Sequence, residues 1–168
     1  MIEIPTQDKR ETFMRAVYLH ALSSKDPRTK IGAVLVRENN IISTGFNNFP
    51  RKVKDYEERY TDRITKYSFI VHGEHNAILT AARLGTNTLG STLYTQGVPC
   101  CECMKSIIQA GCVKVVVHKQ WPNLDYSEKW VEATRISKIM VDESGVELEW
   151  FDKKLGIIGF FDGKEINV

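Results

Sequence analysis

Two short stretches of the sequence carry side chains that bind metals and move protons. His72-Gly73-Glu74-His75 sets two imidazoles around a carboxylate, and Pro99-Cys100-Cys101-Glu102-Cys103 holds three of the chain's 4 cysteines. Cysteines this close together are too dense for a disulfide framework and read as a metal or redox site. Cys100 and Cys103, three apart at the start of a helix, turn both sulfurs toward one point. A helix N-terminus also favours the thiolates that a metal needs. With His72 as third ligand, the set leaves zinc a fourth position for water, which is the open arrangement of a catalytic site. Glu74 lies beside such a metal without binding it and suits proton transfer between water and substrate. Taken singly, the two halves allow other chemistry. A lone C-x-x-C is also a redox pair or half of a structural zinc site, which His75 or Cys101 would close. A lone H-x-E is also polar traffic at a helix start. Glu74 and the absence of a second cysteine pair argue against a closed site.

The elements that must position these residues follow from periodicity and breakers. Asp8 with Glu11 three residues on forms a capping box. It opens a helix whose apolar positions are Phe13, Met14, Val17, Leu19 and Leu22 and which ends near Ser23. Residues 31–36 and 41–46 are β-rich runs flanking a hairpin turn at 37–40. Residues 48–68 are polar, charged and too long for a plain loop, so they form an excursion that is functional or partly helical. Residues 75–85 read as a helix with Ala77, Ile78, Ala81, Ala82 and Leu84 apolar and Gly85 as its stop. A strand over 91–96, a helix from Cys100 closed by Gly111, and a buried strand over 114–118 follow. Then come a helix over 127–144 ended by Gly145 and an alternating strand over 146–151. The tail turns at Asp162-Gly163 and either pairs locally or packs on another subunit. Alternating elements predict one sheet with helices on both faces. The first strand pair is a hairpin and the later strands are joined by crossovers, so the expected fold is a three-layer α/β/α domain over residues 1–168 with a mixed five-stranded sheet.

The totals bound the function. A chain of 168 residues has room for one real core, and 42% hydrophobic with 26% charged residues is an ordinary globular composition. A net charge of +2 supplies no strong field for nucleic acid or membrane. The N-terminal residues lack a signal-peptide pattern, and no apolar run reaches the ~18 residues of a membrane span. The expected place is the cytoplasm, or the host cytoplasm if the source is viral.

His72-x-Glu74, followed 24 residues later by Pro99-Cys100-x-x-Cys103, has the pattern of zinc-dependent nucleobase deaminases. Beyond that motif the chain resembles the deoxycytidylate (dCMP) deaminase family of viral or bacterial type. The blocks that carry the resemblance are 24–36 (SKDPRTKIGAVLV), 43–51 (STGFNNFPR), 62–83 (DRITKYSFIVHGEHNAILTAAR) and 92–111 (TLYTQGVPCCECMKSIIQAG). The excursion ending in Lys66-Tyr67 separates this family from tRNA adenosine deaminases, whose connection there is shorter. Two positions depart from the family: Gly73 stands where alanine is usual, and Asn48 where glycine is usual.

The resemblance implies roles. His72, Cys100 and Cys103 bind one catalytic Zn2+, and Glu74 shuttles protons while a zinc-activated water attacks C4 of cytosine, releasing ammonia. Asn47 lies near the sugar and pyrimidine; read on its own, it is a turn residue. Ser24 and Arg28 bind the 5′-phosphate, since a guanidinium offers phosphate a planar fork. Tyr126, read from its place after the fourth strand at the sheet's ligand-binding end, either closes over the nucleotide by stacking or is a surface-anchored tyrosine. The family is commonly a homo-oligomer, a hexamer, activated by dCTP with Mg2+ and inhibited by dTTP. Arg83 matches a position near its effector site, although a helix-end arginine also simply favours the C-terminal dipole. Cys112, His20 and His118 read as packing, Cys101 as adjacent to the metal without binding it, and Trp121, Trp130 and Trp150 as core or interface. The implied reaction is dCMP to dUMP and ammonia, which feeds thymidylate synthesis. Deamination of dCTP, or of both nucleotides, is the alternative. A tRNA- or nucleic-acid-editing deaminase and a structural zinc protein are the remaining readings.

Overall fold

The computed structural model of the chain describes residues 8–122 and 128–168. In chain order these form α1 (Lys9–Ala21), β1 (Gly32–Arg37), β2 (Asn40–Phe46), α2 (Glu58–Thr61), α3 (Arg63–Phe69) and α4 (Gly73–Leu84). They continue with β3 (Thr92–Thr95), α5 (Cys101–Gln109), β4 (Lys114–His118), α6 (Glu128–Ser144), β5 (Glu147–Phe151), β6 (Ile158–Phe161) and β7 (Lys164–Asn167). Five strands make one sheet in the order β2-β1-β3-β4-β5. The pairs β1–β2 and β1–β3 are antiparallel, and β3–β4 and β4–β5 are parallel. The mixed sheet arises as expected: a hairpin joins the first two strands, and helical crossovers join the last three.

The hairpin turn is two residues long. Arg37 pairs with Asn40 across Glu38 and Asn39, whose φ values of 50° and 61° give the positive-φ geometry that matches strand twist. Along β1 the side chains alternate between two cores. Val34 and Val36 pack with Met14, Val17 and Tyr18 of α1 and with Trp121, Leu155 and Val168 from the later chain. Ala33 and Leu35 pack with Ala77 and Ala81 of α4, Met104 and Ile107 of α5 and Val141 of α6. The layers are therefore α1 with the C-terminal segment on one face, and α4, α5 and α6 on the other.

Helix faces differ from the sequence reading in detail. Leu19, Leu22 and Leu84 are exposed, and so is Ala82. A helix lying on a sheet buries a single stripe. In α1 that stripe is completed by Tyr18 and Ala21; in α4 it is Ala77 and Ala81. Asp8 caps α1, with Oδ1 accepting the Arg10 N–H at 3.0 Å. Glu11 does not close the box, because its carboxylate is taken by Arg15 at 2.8 Å and by Lys153. Gly85, Gly111 and Gly145 stand in left-handed conformation after α4, α5 and α6, as their positions predict. The excursion is partly helical, through α2 and α3, and is held by Phe49, which stacks on Tyr60 with centroids 4.3 Å apart. The tail pairs locally: β6 and β7 form a hairpin through Asp162-Gly163.

Candidate metal centre and active site

The two helix starts meet. Val71 and Asn48 exchange backbone hydrogen bonds at 2.9 and 3.1 Å, which pins the chain just before α4 and leaves His72 as an extended N-cap. Cys100 caps α5 in the same way, and the Ser137 hydroxyl of α6 holds the preceding residue by donating to the Pro99 carbonyl at 2.7 Å. Cys103 lies in the first turn of α5. The result is a group of three donors, His72, Cys100 and Cys103, mutually within 4.8 Å. His72 Nδ1 stands 3.4 Å from Cys100 Sγ and 3.5 Å from Cys103 Sγ. A tetrahedron with Zn–S near 2.3 Å and Zn–N near 2.1 Å has edges of roughly 3.5–3.8 Å, so the donor set fits zinc in kind and in spacing. Cys101 and His75 are not part of the group. Cys112 is buried in the core against Ser91, and His118 is buried between Tyr18 and Lys153.

The electrostatics of the site follow from burial and close contact. A hydrogen bond from the Cys103 thiol, joined by His72, pulls Cys100 down to about 4 despite its burial. The same bond and burial push the Cys103 thiol up. A dication binding here displaces the thiol protons that remain. Burial opposes a charge on His72, but Cys100 and Glu74 outweigh it and raise its pKa. Glu74 is buried, and its desolvation raises its pKa, which readies the carboxyl to carry a proton. Thr95 Oγ1, which donates to the Gly32 carbonyl at 3.1 Å, lies 3.4 Å from Glu74 Oε1, and Cys103 Sγ lies 3.8 Å from Oε2.

These groups border a cleft of about 610 Å³, which His72, Glu74 and Cys100 line together with Asn47, Asp26 and Arg28. That volume suits one small molecule. Asn47 lies on the wall, with its side chain already engaged: Oδ1 accepts the Ile31 N–H at 2.8 Å and Nδ2 donates to the Thr29 carbonyl at 2.8 Å. Arg28 stands at the rim. Ser24 is placed differently from the expectation. It is buried and does not line the cleft, and its hydroxyl donates to the Asn47 carbonyl at 2.7 Å, because the loop must satisfy that buried acceptor. Arg83 is exposed near the end of α4, away from the cleft lining. Tyr126 and the Trp130 side chain lie outside the described residues. Trp121 is core, as expected, and also lines the cleft, while Trp150 is exposed.

The sequence reading missed a buried ion pair in this wall. Lys66 Nζ meets Asp26 Oδ2 at 2.9 Å, with side chains only 10% and 3% exposed. Asp26 Oδ1 also accepts the Arg28 N–H at 2.9 Å and the Thr29 N–H at 3.3 Å. Asp26 stands before Pro27 in a loop, and Lys66 belongs to the polar, charged stretch 48–68. No short-range signal marked the pair: Lys66 shares its helix face with the exposed Asp62 and Arg63.

A mixed sheet between helical layers, with an open His-Cys-Cys set and a buried carboxyl where two helix starts meet, defines a zinc-dependent deaminase. Residues 7–119 match the cytidine and deoxycytidylate deaminase zinc-binding region, and the chain belongs to that family. An uncharacterized deaminase in the luxG 3′ region of Aliivibrio fischeri is 38% identical over 127 residues, 76% of this chain and 82% of that one. The deoxycytidylate deaminase of Pongo abelii is 32% identical over 152 residues, 86% and 80% of the two chains. Among solved structures, the dCMP deaminase of cyanophage S-TIM5 in complex with dCMP and dUMP superposes with a TM-score of 0.64 at 26% identity, covering 84% of this chain and 96% of that one. The reaction is accordingly the zinc-dependent deamination of this family. Among the described residues, no helix is long and apolar enough to cross a membrane.

Proposed function

We propose that the chain is a single catalytic domain that deaminates dCMP to dUMP and ammonia in the cytoplasm and so supplies thymidylate synthesis. The observation that carries the reading is the cleft itself, which is lined by metal donors, a buried carboxyl and an exposed guanidinium. Its size for one nucleotide, the names of the relatives and the nucleotides bound by the cyanophage enzyme support it. His72, Cys100 and Cys103 would hold zinc, whose Lewis acidity makes water nucleophilic near neutral pH. Glu74 collects the proton that water loses and delivers it to N3 of the cytosine ring; it then takes the proton of the hydroxyl newly bonded to C4 and passes it to the departing amine, so that the C4 carbonyl forms as the C–N bond breaks and ammonia leaves. Thr95 lies beside one oxygen of the Glu74 carboxyl and Cys103 beside the other. Arg28 receives the 5′-phosphate. Asn47 and Ser24 fix the loop 24–31 that carries Arg28, with the Asp26–Lys66 pair clamping that loop to α3.

Ammonia release from dCMP, dCTP, CMP, deoxycytidine and a tRNA hairpin tests the reading. dCMP should be preferred over all four others. Preference for dCTP or for the hairpin would replace it, and no release from any would leave a structural zinc protein.

A further inference from the structure

The β6–β7 hairpin lies beyond residue 119, where the family match ends, yet Phe161 and Asp162 line the cleft. Backbone contacts place it there. The Lys30 N–H donates to the Phe160 carbonyl at 3.1 Å, the Gly163 N–H to the Arg28 carbonyl at 2.7 Å, and the Asp162 N–H to Thr29 Oγ1 at 3.2 Å. The Phe161 ring meets Trp121 edge-on, centroids 5.5 Å apart. None of these contacts uses the Asp162 carboxylate. That group instead reaches Arg28, with Oδ1 2.5 Å from Nη2, in a pair whose side chains are 58% and 61% exposed. A pair this exposed adds little to stability. The carboxylate thus sits on the rim cation without being needed to hold the wall.

We propose that Asp162 is a specificity-determining residue: an internal counter-anion that competes with the substrate phosphate for Arg28 and opposes every further negative charge brought to the rim. The proposal rests on the reading of Arg28 as the phosphate-binding cation. A guanidinium has five N–H donors, of which those on Nη2 face Asp162, so a phosphate that meets Arg28 shares the cation with that carboxylate. Repulsion between a carboxylate and a phosphate a few ångströms away grows with the phosphate's charge and is only partly screened. The other acid beside Arg28, Asp26, is already matched by Lys66 at 2.9 Å and adds less repulsion. The outcome is a cleft that prefers a monophosphate to a more highly charged nucleotide.

The test is Asp162→Asn, assayed at low ionic strength with three probes: kcat/KM for deoxycytidine and for dCMP, and the competitive inhibition constant of dCDP. Asparagine keeps the size and tolerates the left-handed backbone, φ 47°, at this turn; an unchanged Tm verifies that the hairpin stays in place. Deoxycytidine should be unaffected, dCMP kcat/KM should rise about threefold, and dCDP should inhibit about tenfold more tightly. A fall on dCMP with deoxycytidine unchanged would make Asp162 a support for Arg28 and overturn the proposal, as would no change on any probe. If the wild-type enzyme handles deoxycytidine as well as dCMP, the phosphate reading of Arg28 itself fails and the proposal fails with it. A drop in Tm would return the carboxylate to a structural role and overturn it too.

Discussion

In the proposed mechanism Glu74 is the residue on which turnover depends most directly. It is the buried carboxyl beside the donor group, and desolvation favours its protonated form. Glu74→Gln keeps the shape and removes the proton transfer, so zinc content should stay intact while kcat falls by roughly 10²–10⁴-fold. A variant with a tenth of normal turnover would remove Glu74 from the proton path. Cys103→Ser should lose zinc, measured by elemental analysis, together with activity, because a serine oxygen does not replace a thiolate ligand. Full zinc content would show that Cys103 is not a ligand. His118 makes a separate prediction. Its Nε2 donates to the Lys153 carbonyl at 2.8 Å, so its Nδ1 accepts from the Tyr18 hydroxyl at 2.7 Å, and the ring is held neutral. Burial depresses its pKa below the ordinary 6.5. The unfolded chain then binds the proton first. The stability His118 contributes is complete above pH 6.5 and drains as the pH falls through the depressed value, by about 1.4 kcal/mol for each unit of depression. The wild-type Tm should therefore drop on acidification from pH 6.5 to 5 more steeply than that of His118→Gln; parallel slopes would exonerate the histidine.

At the scale of elements, the site depends on how closely α4 lies on β2. A Cβ at Gly45 would stand 2.2 Å from the Ala77 nitrogen and 2.3 Å from the Gly73 carbonyl oxygen. Both are backbone atoms that cannot swing away. Gly45→Ala should cost at least about 1–3 kcal/mol in chemical denaturation. It should also lower kcat, because Gly73 lies between His72 and Glu74. Unaltered stability would mean that the helix shifts freely on the sheet. Gly73 itself is explained in the same way. A Cβ there would come 2.8 Å from the Ile31 carbonyl oxygen, so glycine at this helix start admits the incoming strand rather than merely loosening the turn.

For the whole molecule, α4 is the element that spans the distance between chemistry and surface. Glu74 lies in its first turn and Arg83 in its last, where it is exposed. We propose that the enzyme works as a homo-oligomer, a hexamer, in which dCTP with Mg2+ activates and dTTP inhibits through this helix. Such effectors act only by binding one state more tightly than the other. The dCMP saturation curve should be sigmoidal alone and hyperbolic with dCTP and Mg2+, and Arg83→Glu should abolish the difference. A hyperbolic wild-type curve, indifferent to both effectors, would discard this regulation.

What the sequence determined by itself was local. Helix stops at glycines, the hairpin turn, the crossover order and the His72, Glu74, Cys100, Cys103 group all follow from residue type at short spacing. The mixed sheet follows from connection lengths. What only the tertiary structure decided was which partners distant residues find. Leu19, Leu22 and Leu84 face solvent because the sheet accepts one stripe of each helix, a fact set by helix placement rather than by hydrophobicity. The Ser24 hydroxyl found the Asn47 carbonyl, and Asp26 found Lys66 across 40 residues of chain. The tail, which nothing local linked to the site, closes the cleft with Phe161 and Asp162. Pairing across such separations depends on loop paths and the burial of unmatched polar groups, and neither is encoded in any short window of residues.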